Sequence, residues 1–189
     1  MNQRERQRLE TRRRIYECAI KLFEEKSYDM VRVSDIVKAA NVSIGAFYHH
    51  FPSKENLIDE GYRSFDEMLE DTFSQKAPAP GFSTILFLTG EQLQEVVNKG
   101  VEVAGIFFKN QIGIANEYIF DKNRFFYRKL VEHVALCNHT DNSDYEIVES
   151  ILRASRGTIY DWCLHNGSYD LLEIGQQDVR IQLEHFKIL

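Results

Sequence analysis

Two short apolar stripes with a three-residue gap between them constrain this 189-residue chain more than any other feature. Val33, Ile36, Val37 and Ala40 recur at helical spacing over about two turns, and a second short helix is predicted from Ile44 to His50. Only Asn41-Val42-Ser43 separates them. Two short helices on a tight turn form a helix-turn-helix, an arrangement whose second helix enters the major groove of DNA. The turn has suitable chemistry. Asn41 sits where the first helix must end in a left-handed residue, which asparagine tolerates best after glycine. Ser43 is an N-cap for the second helix, and Val42 with Phe47 makes a hydrophobic staple across the cap.

With Phe47 and Phe51 facing inward, Gly45, Ala46, Tyr48, His49 and His50 are expected on the outer faces of the second helix. Gly45 and Ala46 let the backbone approach base edges, while Tyr48 and the histidines offer donors to phosphates or bases. The charges around this segment are unusual. Arg4, Arg6, Arg8, Arg12, Arg13 and Arg14 crowd the start of the first helix, and Lys54 follows a Ser53 cap on the fourth. Cations oppose the helix dipole at such positions, and the placement makes sense where a phosphate binds. The net charge of −6 conceals the asymmetry. Residues 1–54 hold 11 Lys+Arg against 7 Asp+Glu, whereas residues 55–189 hold 12 against 22. A basic head on an acidic body presents one end to nucleic acid.

The remaining chain reads all-α. A first helix from Arg4 to Lys26 carries the stripe Ile15, Cys18, Ala19, Leu22 and Phe23, and a fourth runs roughly from Ser53 to Phe73. Further helices are predicted near 83–98, 101–119, 123–138, 144–166 and 170–187, with Ala77-Pro78-Ala79-Pro80-Gly81 and Gly100 as breaks. The expected organisation is an N-terminal three-helix DNA-binding domain over residues 1–54 and a C-terminal helical bundle over residues 55–189. The opening residues lack the apolar run of a signal peptide, and no apolar stretch is long enough to span a bilayer, so a cytoplasmic location without membrane contact is expected. Cys18, Cys137 and Cys163 are scattered and odd in number, which argues against a disulfide framework or zinc finger.

Residues 12 to about 60 resemble the N-terminal domain of TetR-type (TetR/AcrR) transcriptional regulators. The resemblance rests on Leu22-Phe23, Val33 through Ile36 to Ala39-Ala40, Val42-Ser43, Gly45, Phe47-Tyr48, and Phe51-Pro52-Ser53-Lys54-Glu55-Asn56-Leu57. It implies DNA contact by Ser43, Gly45, Ala46, Tyr48, His49 and His50. It also implies phosphate contact by Lys54 and by the helix start around Arg32 and Ser34. Arg32 stands where the family usually has a threonine cap, and Asn41 where it usually has glycine.

A helix-turn-helix commonly pairs to read two half-sites, so a homodimer is expected. The expected face comprises Ile151, Ala154, Ser155, Thr158 and Trp162 on one helix, with Val179, Leu183 and Phe186 on the last. Leu152-Arg153 through Gly157 to Trp162 and Gly167 is similar to the family's C-terminal part. The resemblance further implies a small-molecule cavity, for which Tyr62, Phe65, Phe107, Phe108, Tyr118, Phe125 and Phe126 are the candidates. No motif of an enzyme is visible, and no cofactor is expected. Cys137, His133 and His139 match no common metal-ligand spacing. The reading is a ligand-responsive repressor acting as a homodimer on a palindromic double-stranded DNA operator. The alternatives are an activator or metal-responsive regulator of the same fold, or an interaction protein whose helix-turn-helix no longer binds DNA.

Overall fold

The computed structural model describes residues 2–113 and 118–188, and among them there is helix, turn and coil but no strand. Helix α1 (Gln3–Glu25) opens on a capping box in which Asn2 and Glu5 exchange backbone-to-side-chain bonds at 2.9 Å. It buries Ile15, Tyr16, Ala19, Ile20 and Phe23, so the apolar stripe is wider than the one read from Cys18 and Leu22. A 3-10 turn at Tyr28–Met30 leads into α2 (Val33–Ala39), α3 (Ile44–His50) and α4 (Asn56–Lys76).

The helix-turn-helix forms as its turn chemistry predicts. Asn41 has φ of 50°, the left-handed conformation that most side chains avoid. Ser43 Oγ accepts from the Ala46 N–H at 3.0 Å, and Val42 and Phe47 lie in one apolar cluster. Arg32 makes no side-chain cap, and Asp35 compensates by accepting from the Arg32 N–H at 2.9 Å. Helix α4 begins three residues later than the Ser53 cap suggested, because Ser53 Oγ donates to the Asn56 side chain instead.

Helix α5 (Phe82–Gly113) bends at Gly100, whose φ of 82° interrupts the helix where the sequence suggested a break. A 3-10 turn at Tyr118–Phe120 precedes α6 (Phe125–Val134), α7 (Asp144–Leu164) and α8 (Leu171–His185). The helix expected over 101–119 falls in part on residues 114–117, outside the described ones. Helices α5, α7 and α8 pack mutually, and α6 crosses α5 and α7.

Two apolar cores result, and two helices join them. The N-terminal core holds Ile15, Ile36, Phe47, Phe51 and Leu57, and also Val103 from α5. The larger C-terminal core joins Leu69, Ile85, Leu130, Ile151, Val179 and Leu183. A smaller cluster around Leu93, Ile159 and Trp162 lies beside it.

One ion pair is buried in this packing. Arg124 donates to Asp66 through Nε at 2.7 Å and Nη2 at 3.2 Å, and Asp66 also accepts from the Tyr118 hydroxyl at 2.9 Å. Asp66→Ala would leave the Arg124 guanidinium buried without its counter-ion and should cost about 3–5 kcal/mol in chemical denaturation. A loss below about 1 kcal/mol would mean that the pair is solvated.

His133 sets a pH dependence. Its Nδ1 accepts from the Gly81 N–H at 3.1 Å, and burial pulls its pKa below the ordinary 6.5. The unfolded chain takes up a proton near pH 6.5 that the folded chain resists. Its contribution is therefore complete above pH 6.5 and falls as the pH drops below that value. His133→Gln retains an acceptor without a titrating group. The stability loss between pH 7.5 and 5.5 should shrink in this variant, and an unchanged loss would exclude the histidine as a cause.

Candidate nucleic-acid interface and internal cavity

The outward face of α3 is short and mostly uncharged. Ser43, Gly45, Tyr48 and His49 are exposed, with Tyr48 at 52%, and Ala46 is half-buried. A Cβ built on Gly45 would meet nothing nearer than Ser43 Oγ at 3.8 Å, so internal packing does not require glycine there. Arg32 and Ser34 are exposed beside this face at the start of α2. Ile44, which the sequence reading passed over, is 55% exposed at the head of α3. An apolar side chain at that position can meet a thymine methyl group.

Two expected contacts need correction. His50 faces inward and is only 9% exposed. Its carbonyl accepts from Arg12 Nη1 at 2.7 Å. Burial, followed by the nearby charges of His49, Arg12 and Arg8, lowers the His50 pKa. Lys54 is not a free cation either. Its Nζ donates to the carbonyls of Tyr28 at 2.8 Å and Val31 at 3.1 Å, and it lies 3.9 Å from the centre of the Tyr28 ring. Two of its three N–H groups thus anchor the 3-10 turn to the head of α4.

Arg12 was read only as one of several basic residues, yet it fastens three helices. It donates to Glu60 on α4 at 2.7 Å, caps the end of α3 through His50 and stacks 4.5 Å from the Phe51 ring. No local pattern marks it, since its partners lie 38 and 48 residues away.

Between α4, α5, α6 and α7 lies a cavity of about 110 Å³. Of the aromatic candidates, Tyr62, Phe65, Phe107, Phe108 and Phe126 line it. Tyr118 and Phe125 do not, a correction with a physical cause for each: the Tyr118 hydroxyl is drawn to Asp66, and the Phe125 ring packs 5.9 Å from that of Phe73. The polar lining was not anticipated. It comprises Gln92, Glu95, Lys99, Gln111, Arg124 and Arg156. One sign was available for Arg156, which continues the apolar stripe Leu152, Ile159 on α7 at helical spacing and so had to face inward.

The expected pairing face is largely internal. Ile151, Ser155, Thr158, Trp162, Val179, Leu183 and Phe186 are all buried within the chain. Ser155 Oγ donates to Gln92 on α5, and Thr158 Oγ1 donates to Asp178 on α8. Of the named set Ala154 is half-buried, and Ala154 and the edge of Thr158 line a groove between α7 and α8 with Arg153, Gly157, Ile174 and Ile181. Tyr160, Leu164 and Ile181 are exposed on these two helices. His133 and His139 do not converge: the first binds Gly81, and His139 Nε2 pairs with Asp144 at 2.9 Å.

The family model for bacterial regulatory proteins of the tetR family matches residues 15–60. The HTH-type transcriptional repressor KstR2 of Rhodococcus jostii (strain RHA1) is 39% identical over 64 residues, which make up 34% of this chain and 30% of that repressor. The match therefore spans less than a third of that relative's length. The probable acrEF/envCD operon repressor of Escherichia coli K12 is 25% identical over 177 residues, or 86% of this chain and 80% of the repressor. The fold is similar to that of FadR from Bacillus subtilis, a transcriptional regulator solved in complex with stearoyl-CoA. The TM-score is 0.69 at 18% identity, over 89% of this chain and 96% of FadR. The segment carrying the helix-turn-helix thus fits the model of the tetR family of bacterial regulatory proteins, and the whole chain is similar in fold to a transcriptional regulator.

Proposed function

We propose that the protein is a ligand-responsive transcriptional repressor that binds an operator as a homodimer. Residues 1–54 serve as the DNA-reading part and residues 55–189 as the sensing and pairing part. The exposed face of α3, with Ser43, Gly45, Tyr48 and His49 outward and Arg32 and Ser34 beside it, is the observation that carries this reading. The bare backbone at Gly45 allows close approach to base edges, and Tyr48 and His49 supply the donors. Arg32 and Ser34 hold the flanking phosphates. Lys54 acts mainly by fixing the angle at which α3 is presented.

Pairing is assigned to the outer face of α7 and α8. Gly157 supports this: a glycine within a helix costs about 1 kcal/mol relative to alanine, and a Cβ there would meet nothing within 4 Å inside the chain. A second copy packed against this face accounts for a residue that the monomer does not need. The two recognition helices would then address half-sites roughly 34–36 Å apart, or a multiple of that.

The cavity is the sensing site, and FadR of Bacillus subtilis offers a parallel in its complex with stearoyl-CoA. Val103 and Phe107 line the cavity and also pack into the N-terminal core. A ligand that displaces them acts directly on the seat of α1 and α4, and thereby on the spacing of the two recognition helices.

Gel-shift titration on the gene's own upstream region tests the DNA-reading surface. Tyr48→Ala should weaken specific binding by about 1–3 kcal/mol with helicity intact. Arg32→Ala should lower the salt slope by about one unit. Unchanged affinity in both variants would discard the α3 surface. For pairing, Ile181→Glu should convert a dimer to a monomer in sedimentation at micromolar concentration, and a persistent dimer would move the interface elsewhere.

A further inference from the structure

The charges lining the cavity are unequally compensated. Lys99 and Glu95 pair at 2.6 Å, and Arg124 is held by Asp66 at 2.7 Å. Arg156 differs. The nearest carboxylate among the described residues is Glu149, at 3.7 Å from Nη2, beyond hydrogen-bond range. Among the described residues its one close hydrogen bond is from Nε to the Leu152 carbonyl of its own helix, at 3.0 Å, and its guanidinium lies 5.7 Å from the centre of the Phe120 ring. Its side chain is 24% exposed, so water replaces only part of the missing anion. A desolvated guanidinium without a firm partner is costly to maintain, and that cost is removed when a ligand brings an anion.

A second donor is available close by. Gln92 uses its carbonyl oxygen to accept from Ser155 Oγ at 2.8 Å, which leaves its NH2 group in the cavity lining. The rest of the wall is mainly aromatic and aliphatic, with Phe65, Phe107, Phe108 and Phe126 prominent. Size completes the description. About 110 Å³ is enclosed here, somewhat less than the roughly 150 Å³ cavity that takes a benzene ring, so a single small ring is the most it holds and a polar substituent must lie toward the partly exposed Arg156.

We infer that the cavity takes a compact aromatic carboxylate, its ring held among the phenylalanines and its carboxylate paired with Arg156. This assignment rests on the sensing role proposed above and narrows its chemistry. It departs from the acyl-CoA found in FadR, because a long acyl chain with its coenzyme far exceeds the space present. The carboxylate gives Arg156 a charge-assisted partner in place of its loose contact with Glu149.

Isothermal titration of the full chain without DNA provides the test, with benzoate, phenylacetate, benzyl alcohol and palmitoyl-CoA as probes. Benzoate or phenylacetate should bind about ten- to a hundredfold more tightly than benzyl alcohol, the value of a hydrogen bond to a charged group. Arg156→Met should remove that advantage and leave benzyl alcohol binding unchanged, while Arg156→Lys should restore part of it. Circular dichroism identifies a variant that fails to fold, and Arg156→Gln then takes the place of the methionine. Equal affinity for the acid and the alcohol would overturn the inference. So would carboxylate binding that is indifferent to residue 156, or binding of palmitoyl-CoA alone. Gel-shift with the same probes separates the two readings. Carboxylate binding without a change in operator affinity supports the ligand assignment and sinks the sensing role. Operator release by benzyl alcohol alone sinks the ligand assignment and spares the role.

Discussion

The structure depends on a side chain that is absent. At Gly61 on α4 a Cβ would lie 2.4 Å from Phe107 Cζ and 2.9 Å from the Tyr16 hydroxyl, so any larger residue would force those rings to move where α1, α4 and α5 meet. The contact places an N-terminal helix, the connecting helix and the cavity wall within one van der Waals layer. Tyr16 is buried there with a hydroxyl that finds no hydrogen-bond partner among the described residues, and burial raises its pKa above the ordinary tyrosine value. The junction is thus packed by shape more than by polar bonds. Such a junction transmits displacement because closely packed groups have little room to yield.

Around this point long-range polar bonds fix the attitude of α3. Arg12 ties the end of α3 to Glu60, one residue before Gly61, while Lys54 holds the turn at Tyr28 to the head of α4. The basic residues that first suggested a phosphate surface are therefore divided in use. Arg32 remains outside, whereas Arg12 and Lys54 are spent largely on internal acceptors. Electrostatic steering toward a polyanion and rigid presentation of the reading helix draw on the same residue types, and sequence alone does not tell them apart.

That division also explains what could be read in advance. The helix-turn-helix was legible because its determinants are local: the left-handed Asn41, the Ser43 cap and the Val42–Phe47 staple lie within seven residues. The break at Gly100 was legible for the same reason. The orientation of α7 was not. It carries apolar residues on two adjacent sides, and periodicity does not state which side meets α5 and α8 and which remains open. Ile151, Ser155 and Trp162 went to the core, and the exposed side fell to Tyr160, Leu164 and their neighbours. His50 was misread because its burial at the end of α3, where Arg12 from 38 residues away takes its carbonyl, is a tertiary fact. Five aromatic residues of the cavity were identified, while Gln92 and Arg124 among its polar members were missed because their partners Ser155 and Asp66 are distant in sequence.

The bend at Gly100 divides α5 between the two larger cores, although Leu93 before it and Ala104 after it still share the smaller cluster with Ile159 and Trp162. Residues before it, such as Ile85 and Leu88, are committed to the C-terminal core, whereas Val103, Ile106 and Phe107 after it pack with the N-terminal one. A straight rod would make any tilt of its first half reappear in its second. The discontinuity shortens that lever arm, so a tilt of the C-terminal helices reaches the N-terminal ones through side-chain packing at Val103 and Phe107 more than through a rigid rod.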